Sequence, residues 1–281
     1  GVDLMDVSAG NQATSHMNRE PASFRQGWKK HLAASVRAAV SIPVVAVNTV
    51  KRPEFAERLL EEGVCDFVGL ARGHLADPHF AEKCRTGHED EIRNCIGCLV
   101  CFETLIGRKR ERCSVNPCLM REREFASLIK DGAGRKVAVV GGGPGGMEAS
   151  RVLALRGFDV TLYEKAGELG GQLNYASKPP LKEKITWLRD AMAAQVRNAG
   201  VKVILNCEAT PEMLKADEPV GVFLCSGSEP VRPDSIPGIH AENVFTVPQV
   251  LSGKAVLDGK KVVIIGSGLS GLETGVFLAE R

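Results

Sequence analysis

Residues 137–146 read VAVVGGGPGG, and residues 262–271 repeat the pattern as VVIIGSGLSG. An apolar run, a turn with glycine at its first, third and sixth positions, and a helix-forming stretch behind it admit few folds. The first glycine permits a tight turn, the second lets backbone approach a pyrophosphate, and the third lets helix and strand pack closely. The helix N-terminus adds free N–H groups and a positive dipole end. Gly141, Gly143 and Gly146 are the glycines of the first turn, and Gly266, Gly268 and Gly271 those of the second. Pro144 suits the first helical position, where its missing N–H would lack a partner in any case. Glu164 stands at the end of the next predicted strand, where a carboxylate accepts hydrogen bonds from ribose hydroxyls. Two such turns in one chain point to two dinucleotides, one a flavin and one a nicotinamide. The acid reading the second ribose would fall after Arg281, so NAD and NADP both stay open.

The rest of the chain has the same strand–helix alternation. Strands are predicted over 44–47, 66–70, 137–140, 160–163, 201–205 and 262–265. Helices are predicted over 53–62, 144–156 and 183–198, with a last helix after the second turn. Strand–helix–strand order makes parallel sheets, so the fold class is α/β. Gly63 is placed to end the helix before it. From 88 to 131 the alternation breaks into a stretch dense in Cys, Arg and Glu, whose shape a bound metal would set. The chain starts at Gly1 and its second glycine unit has no following strand, so both ends of a longer protein are expected to be missing. A net charge of +2 gives no reason to expect a nucleic acid or membrane partner. No apolar run approaches the ~18 residues that span a bilayer, and no secretory leader is visible, so a cytoplasmic location is expected.

The chain has nine cysteines. Cys95, Cys98, Cys101 and Cys113 form C-x2-C-x2-C-x11-C, which is local and sits in a long α/β chain, unlike a secreted disulfide scaffold. Three thiolates at three-residue spacing and a fourth from a later turn can wrap a [4Fe-4S] cluster. Structural zinc is the competing reading, although its sites more often pair two distant C-x2-C units. Cys118 is read as a spare thiol, and Cys65, Cys84, Cys207 and Cys225 as small buried hydrophobes.

The runs ARGHLADPHF (71–80), DEIRNCIGCLVC (90–101) and CSVNPC (113–118) resemble the iron–sulfur branch of the old yellow enzyme family, which includes 2,4-dienoyl-CoA reductase, 2-enoate reductases and trimethylamine dehydrogenase. The resemblance implies three parts. Residues 1–87 would be the C-terminal part of an FMN-binding (β/α)8 barrel, 88–131 the iron–sulfur segment, and 132–281 an incomplete Rossmann-like FAD/NAD(P)-binding domain. Arg72 would then contact the FMN phosphate, with Asn48 and Thr49 in the loop after the preceding strand. Relatives often have glycine or arginine in that loop. Glu164, Gly171, Gln172, Lys182, Ala209 and Gly227 would lie along FAD. The family's catalytic tyrosine has no counterpart, since Tyr163 and Tyr175 fall in the FAD domain.

The implied reaction passes electrons from NAD(P)H through FAD and the cluster to FMN, which reduces an activated C=C bond of a small-molecule substrate. Two alternatives stand beside it: an amine dehydrogenase of the trimethylamine dehydrogenase type, with electrons running the other way, and an electron-transfer module like the small subunit of glutamate synthase. Monomer and homo-oligomer both stay open.

Overall fold

The computed structural model describes every residue from Gly1 to Arg281 except Gln12, Asn48, Thr49 and Asp258. The chain forms two compact units, Gly1–Ser127 and Leu128–Arg281. Most of the cysteine-rich stretch lies in the first.

The first unit carries a parallel sheet of β1 (Met5–Val7), β2 (Val44–Val47) and β3 (Phe67–Gly69), in that order. Met5 pairs with Val44, and Val45 with Phe67. Helices Lys30–Ala39 and Pro53–Glu61 fill the two crossovers. Ala33, Val44, Ala46, Val50, Leu59, Val64 and Cys65 form one buried cluster between sheet and helices. Gly63 ends its helix as expected. At φ +66° it donates its N–H to the Leu60 carbonyl, while Val64 donates to that of Leu59. This is the Schellman closure, and the buried Leu59 and Val64 are its characteristic apolar pair. The start of the β2–β3 ladder is held by Asp66, whose carboxylate accepts the Val44 N–H at 2.9 Å.

The second unit is built on a four-stranded parallel sheet in the order β6-β5-β4-β7. Its strands are β4 (Lys136–Val140), β5 (Asp159–Tyr163), β6 (Lys202–Ile204) and β7 (Gly221–Leu224). Val137, Ala138 and Val139 of β4 and Val160 and Leu162 of β5 are all buried, as continuous apolar runs covered on both faces must be. The helix Pro144–Leu155 buries Met147, Ser150 and Leu153 and packs against the helix Glu183–Asn198.

Residues 262–265, expected as a strand, do not form one. Val263 is 88% exposed. A run of β-branched residues becomes a strand through ladder bonds to a neighbour, and none of the described strands pairs with it. The turn that follows takes up the geometry of the first turn nonetheless. Gly141 has φ +105° and Gly266 φ +106°. A Cβ on Gly146 would overlap the Gly141 carbonyl oxygen, and one on Gly271 that of Gly266. The helix Leu269–Ala279 then begins.

Gly145, inside the first helix, has open space where its Cβ would lie. Gly146→Ala is therefore expected to lower stability by at least ~2 kcal/mol through forced overlap. Gly145→Ala should raise it by up to ~1 kcal/mol through helix propensity. Thermal unfolding of the flavin-free protein checks the pair.

Candidate functional site

The first glycine turn is the centre of a site assembled from four loops of the second unit. The Gly142 N–H donates to Glu164 Oε2 at 2.6 Å, and the Ala166 N–H to Glu164 Oε1 at 2.7 Å. The buried Glu164 thus ties the turn to the end of β5. Each of its oxygens has two acceptor sites, so capacity for ribose hydroxyls is left. The Gly142 carbonyl accepts the Gly170 N–H at 2.9 Å. A Cβ on Gly171 would come within 2.9 Å of the Gly143 Cα, so the 170–172 segment lies against the turn backbone to backbone. Gln172 Nε2 in turn donates to the Ser228 carbonyl at 2.8 Å, which brings in Gly227 at φ +77°. Gly143 and Gly268 differ from the glycines that the chain itself requires. A Cβ on Gly143 would meet nothing closer than 3.9 Å, and one on Gly268 nothing within 4 Å. The space above both turns is therefore open to a ligand, at the N-termini of helices of 12 and 11 residues.

Two further expected residues are less central. Ala209 follows Cys207, whose N–H donates to the Glu164 carbonyl at 3.0 Å, and precedes Thr210, which caps the helix Pro211–Ala216. Lys182 precedes the helix Glu183–Asn198, and its ammonium pairs with Glu273 behind the second turn.

In the first unit, Cys95, Cys98, Cys101 and Cys113 line one pocket together with Arg72 and Leu75. Local sequence shapes the loop. Gly97 has φ +70° and Leu99 φ +61°, so the chain reverses between Cys98 and the helix Val100–Ile106, which carries Cys101. Cys98 Sγ lies 3.3 Å from Ser114 Oγ, which brings in the segment of the fourth cysteine. Among the described residues, no three His, Cys, Asp or Glu side chains are gathered tightly enough for one metal ion. A tetrahedral zinc site would need its sulfurs about 3.8 Å apart. Burial pushes the Cys101 and Cys113 thiols above the ordinary thiol range, so a metal binding there displaces protons.

Arg72 opens the helix Arg72–Ala76 just beyond β3. Its guanidinium holds Glu20 twice, with Nη2 at 2.5 Å from Oε1 and Nη1 donating to the Glu20 carbonyl at 3.0 Å. Glu20 is 1% exposed and also faces Lys51 at 3.8 Å. Burial lowers the Lys29 pKa, with Glu20 opposing the shift and Arg72 adding to it. Asn48 and Thr49 lie outside the described residues.

What pins the cysteine stretch was not anticipated. Asp77, buried, accepts the Arg93 N–H at 3.0 Å and the Lys83 ammonium at 2.6 Å through Oδ2, and the His79 N–H at 3.1 Å through Oδ1. Arg93 donates to the Val115 carbonyl at 3.2 Å, and Asn116 Nδ2 to the Leu75 carbonyl at 2.9 Å. The Asp77-Pro78 turn signal was the one sequence clue to this latch. Of the other cysteines, Cys65 is buried as expected, while Cys84, Cys207 and Cys225 are only partly so.

Each unit contains a match to a known family. Residues 1–91 match the NADH:flavin oxidoreductase / NADH oxidase family, and residues 135–281 the pyridine nucleotide-disulphide oxidoreductase family. The chain belongs to the iron–sulfur branch of the old yellow enzyme family. It is 43% identical to an NADH oxidase of Thermoanaerobacter brockii, a match covering 100% of this chain and 44% of that protein. A 2-naphthoyl-CoA reductase in complex with 2-naphthoyl-CoA superposes at a TM-score of 0.91 with 33% identity, over 99% of this chain and 42% of that one. Histamine dehydrogenase from Rhizobium sp. 4-9 does so at 0.78 with 29% identity, over 91% and 39%. The chain thus spans less than half the length of these relatives. The first unit is part of an FMN barrel, and the second is Rossmann-like.

Asp77→Ala removes the shared acceptor of this latch. Breaking a buried ion pair costs about 3–5 kcal/mol. Lys83 keeps the Glu91 carbonyl as a partner, so roughly 2–3 kcal/mol is expected here. Urea unfolding followed by Trp28 fluorescence in a Trp187→Phe background measures it.

Proposed function

We propose that the enzyme to which this chain belongs is a cytoplasmic NAD(P)H-dependent flavin oxidoreductase that reduces an activated C=C bond of a small molecule, of the 2-enoate or 2,4-dienoyl-CoA type. The observation that carries this is the set of four cysteines lining one pocket beside Arg72, in a chain that also bears two glycine turns. The donor set fits a [4Fe-4S] cluster, which takes four thiolates, and Cys95, Cys98, Cys101 and Cys113 would hold it. Gly141, Gly143, Gly146 and Glu164 would hold FAD, with Gly171, Gln172, Ala209 and Gly227 around it. Gly266, Gly268 and Gly271 would take the nicotinamide nucleotide. Arg72, which follows β3, would contact the FMN phosphate, as groups at the C-terminal ends of barrel strands do. Bound there, these cofactors would supply the redox chemistry, a net transfer of the two electrons and hydrogen of NAD(P)H to one alkene carbon while the other carbon takes a proton.

The protein's own part is to bind and orient. The Gly142 and Ala166 amides hold the Glu164 carboxylate still at the ribose position. Asp77, Arg93 and Asn116 hold the cysteine loop. Lys182 would have to give up its ion pair with Glu273 to reach FAD. Amine oxidation is the second reading, favoured by the likeness to histamine dehydrogenase. Anaerobic reduction of the full enzyme by NADH or NADPH, against reduction by an amine, separates the two.

Purified without oxygen, residues 1–281 should carry about four irons, four sulfides and one FAD per chain. Zinc without sulfide, when iron and sulfide were supplied during expression, would sink the electron-transfer reading. Cys98→Ala should lose the iron and keep the FAD, and a variant with full iron would remove Cys98 from the ligand set.

A further inference from the structure

Arg72 lines the cysteine pocket itself, alongside Cys95, Cys98, Cys101 and Cys113. We propose that it sets the reduction potential of the cluster held there, with Glu20 as the residue that positions it. The inference rests on the cluster reading above and goes beyond it by giving this arginine a redox role.

The guanidinium is fixed rather than mobile. Its planar fork engages the Glu20 carboxylate and the Glu20 carbonyl at once, which an ammonium could not reproduce. Its carbon lies 5.7 Å from the centre of the Phe102 ring, with Arg19 over the same ring at 5.3 Å. Phe102 adjoins Cys101 in sequence. Glu20 is fixed in turn by the segment that follows it. A Cβ on Gly97 would come within 2.9 Å of the Ala22 nitrogen, so the chain just beyond Glu20 packs backbone to backbone against the Cys95–Cys98 loop. Lys51 shares the same carboxylate oxygen of Glu20 at 3.8 Å, so two basic side chains face the one carboxylate and the group has a formal charge of about +1.

The consequence is electrostatic. A cubane with four thiolates is anionic, and its potential responds to net charge and hydrogen bonding around it. Adding one electron deepens the negative charge by one unit. A fixed cation at a pocket wall screened from water favours the more negative form. Reduced flavin supplies the electron in the enzyme, and dithionite does so in the test. Arg72 neither gains nor loses a proton in the step.

The test is an EPR-monitored redox titration of the anaerobically purified full enzyme, with iron, sulfide and FMN quantified in every sample. Arg72→Met should make cluster reduction about tenfold less favourable, a fall of about 59 mV for a one-electron couple. Arg72→Lys keeps the charge but loses the two-point grip on Glu20, and should fall by less. A methionine variant with four irons and the wild-type midpoint overturns the proposal, and loss of FMN at an unchanged midpoint assigns Arg72 to the flavin instead. Should the methionine variant fail to assemble its cluster, Arg72→Gln decides, because it removes the charge and keeps a hydrogen-bond donor toward Glu20, and a wild-type midpoint there overturns the proposal equally. A wild-type enzyme without iron and sulfide fails the cluster reading itself, before any variant is made.

Discussion

Where two loops press together on the side from which a Cβ would project, only glycine fits, and both candidate sites are built on such contacts. Gly146 lies against the Gly141 carbonyl, Gly171 against Gly143, and Gly97 against Pro21 and Ala22. A methyl group at any of these would push apart the loops that define the site. The cost of glycine is chain entropy, and it is accepted at positions where the geometry admits nothing larger. Gly143 and Gly268 belong to a different class, because the chain leaves open space beside them. The fold does not require their lack of a side chain.

Buried carboxylates do the complementary work of fastening loops together. Glu164 joins the first glycine turn to the end of β5. Asp77 joins the cysteine stretch to the end of its barrel fragment. Glu20 clasps Arg72. Each meets backbone N–H groups or cations at hydrogen-bonding distance, as a buried charge must. The loops they join bury few apolar side chains, Ile92, Val115 and Leu119 in the cysteine stretch, so polar anchors add to packing in giving these segments their shape. That is why the stretch 88–131 shows so little periodicity in sequence and is nonetheless ordered.

Much of this was legible from residue types and spacing. The parallel strands 44–47 and 137–140, the helix that Gly63 ends and the turns at Gly141 and Gly266 follow from local rules: apolar runs, proline at a helix start, glycine at positive φ. The four cysteines were legible as a set because their spacing is local. The latch residues Asp77, Arg93 and Asn116 were not. Their partners lie up to 41 positions away in sequence, and nothing in an isolated Asp or Asn announces a distant carbonyl. Residues 262–265 fail in the opposite sense. Their composition is that of a strand, but a strand is a relation between two segments, and composition describes only one.

The sequence by itself determined the α/β alternation, the two glycine turns and the cysteine quartet, because each depends on backbone preferences and side-chain chemistry within about twenty residues. Tertiary structure decided which acids are buried and what they fasten, and that Arg72 lines the cysteine pocket with Glu20 in its grip. Among the described residues, 262–265 pair with no strand. These outcomes depend on desolvation and on partners supplied by distant parts of the chain, and both exist only once the chain has folded.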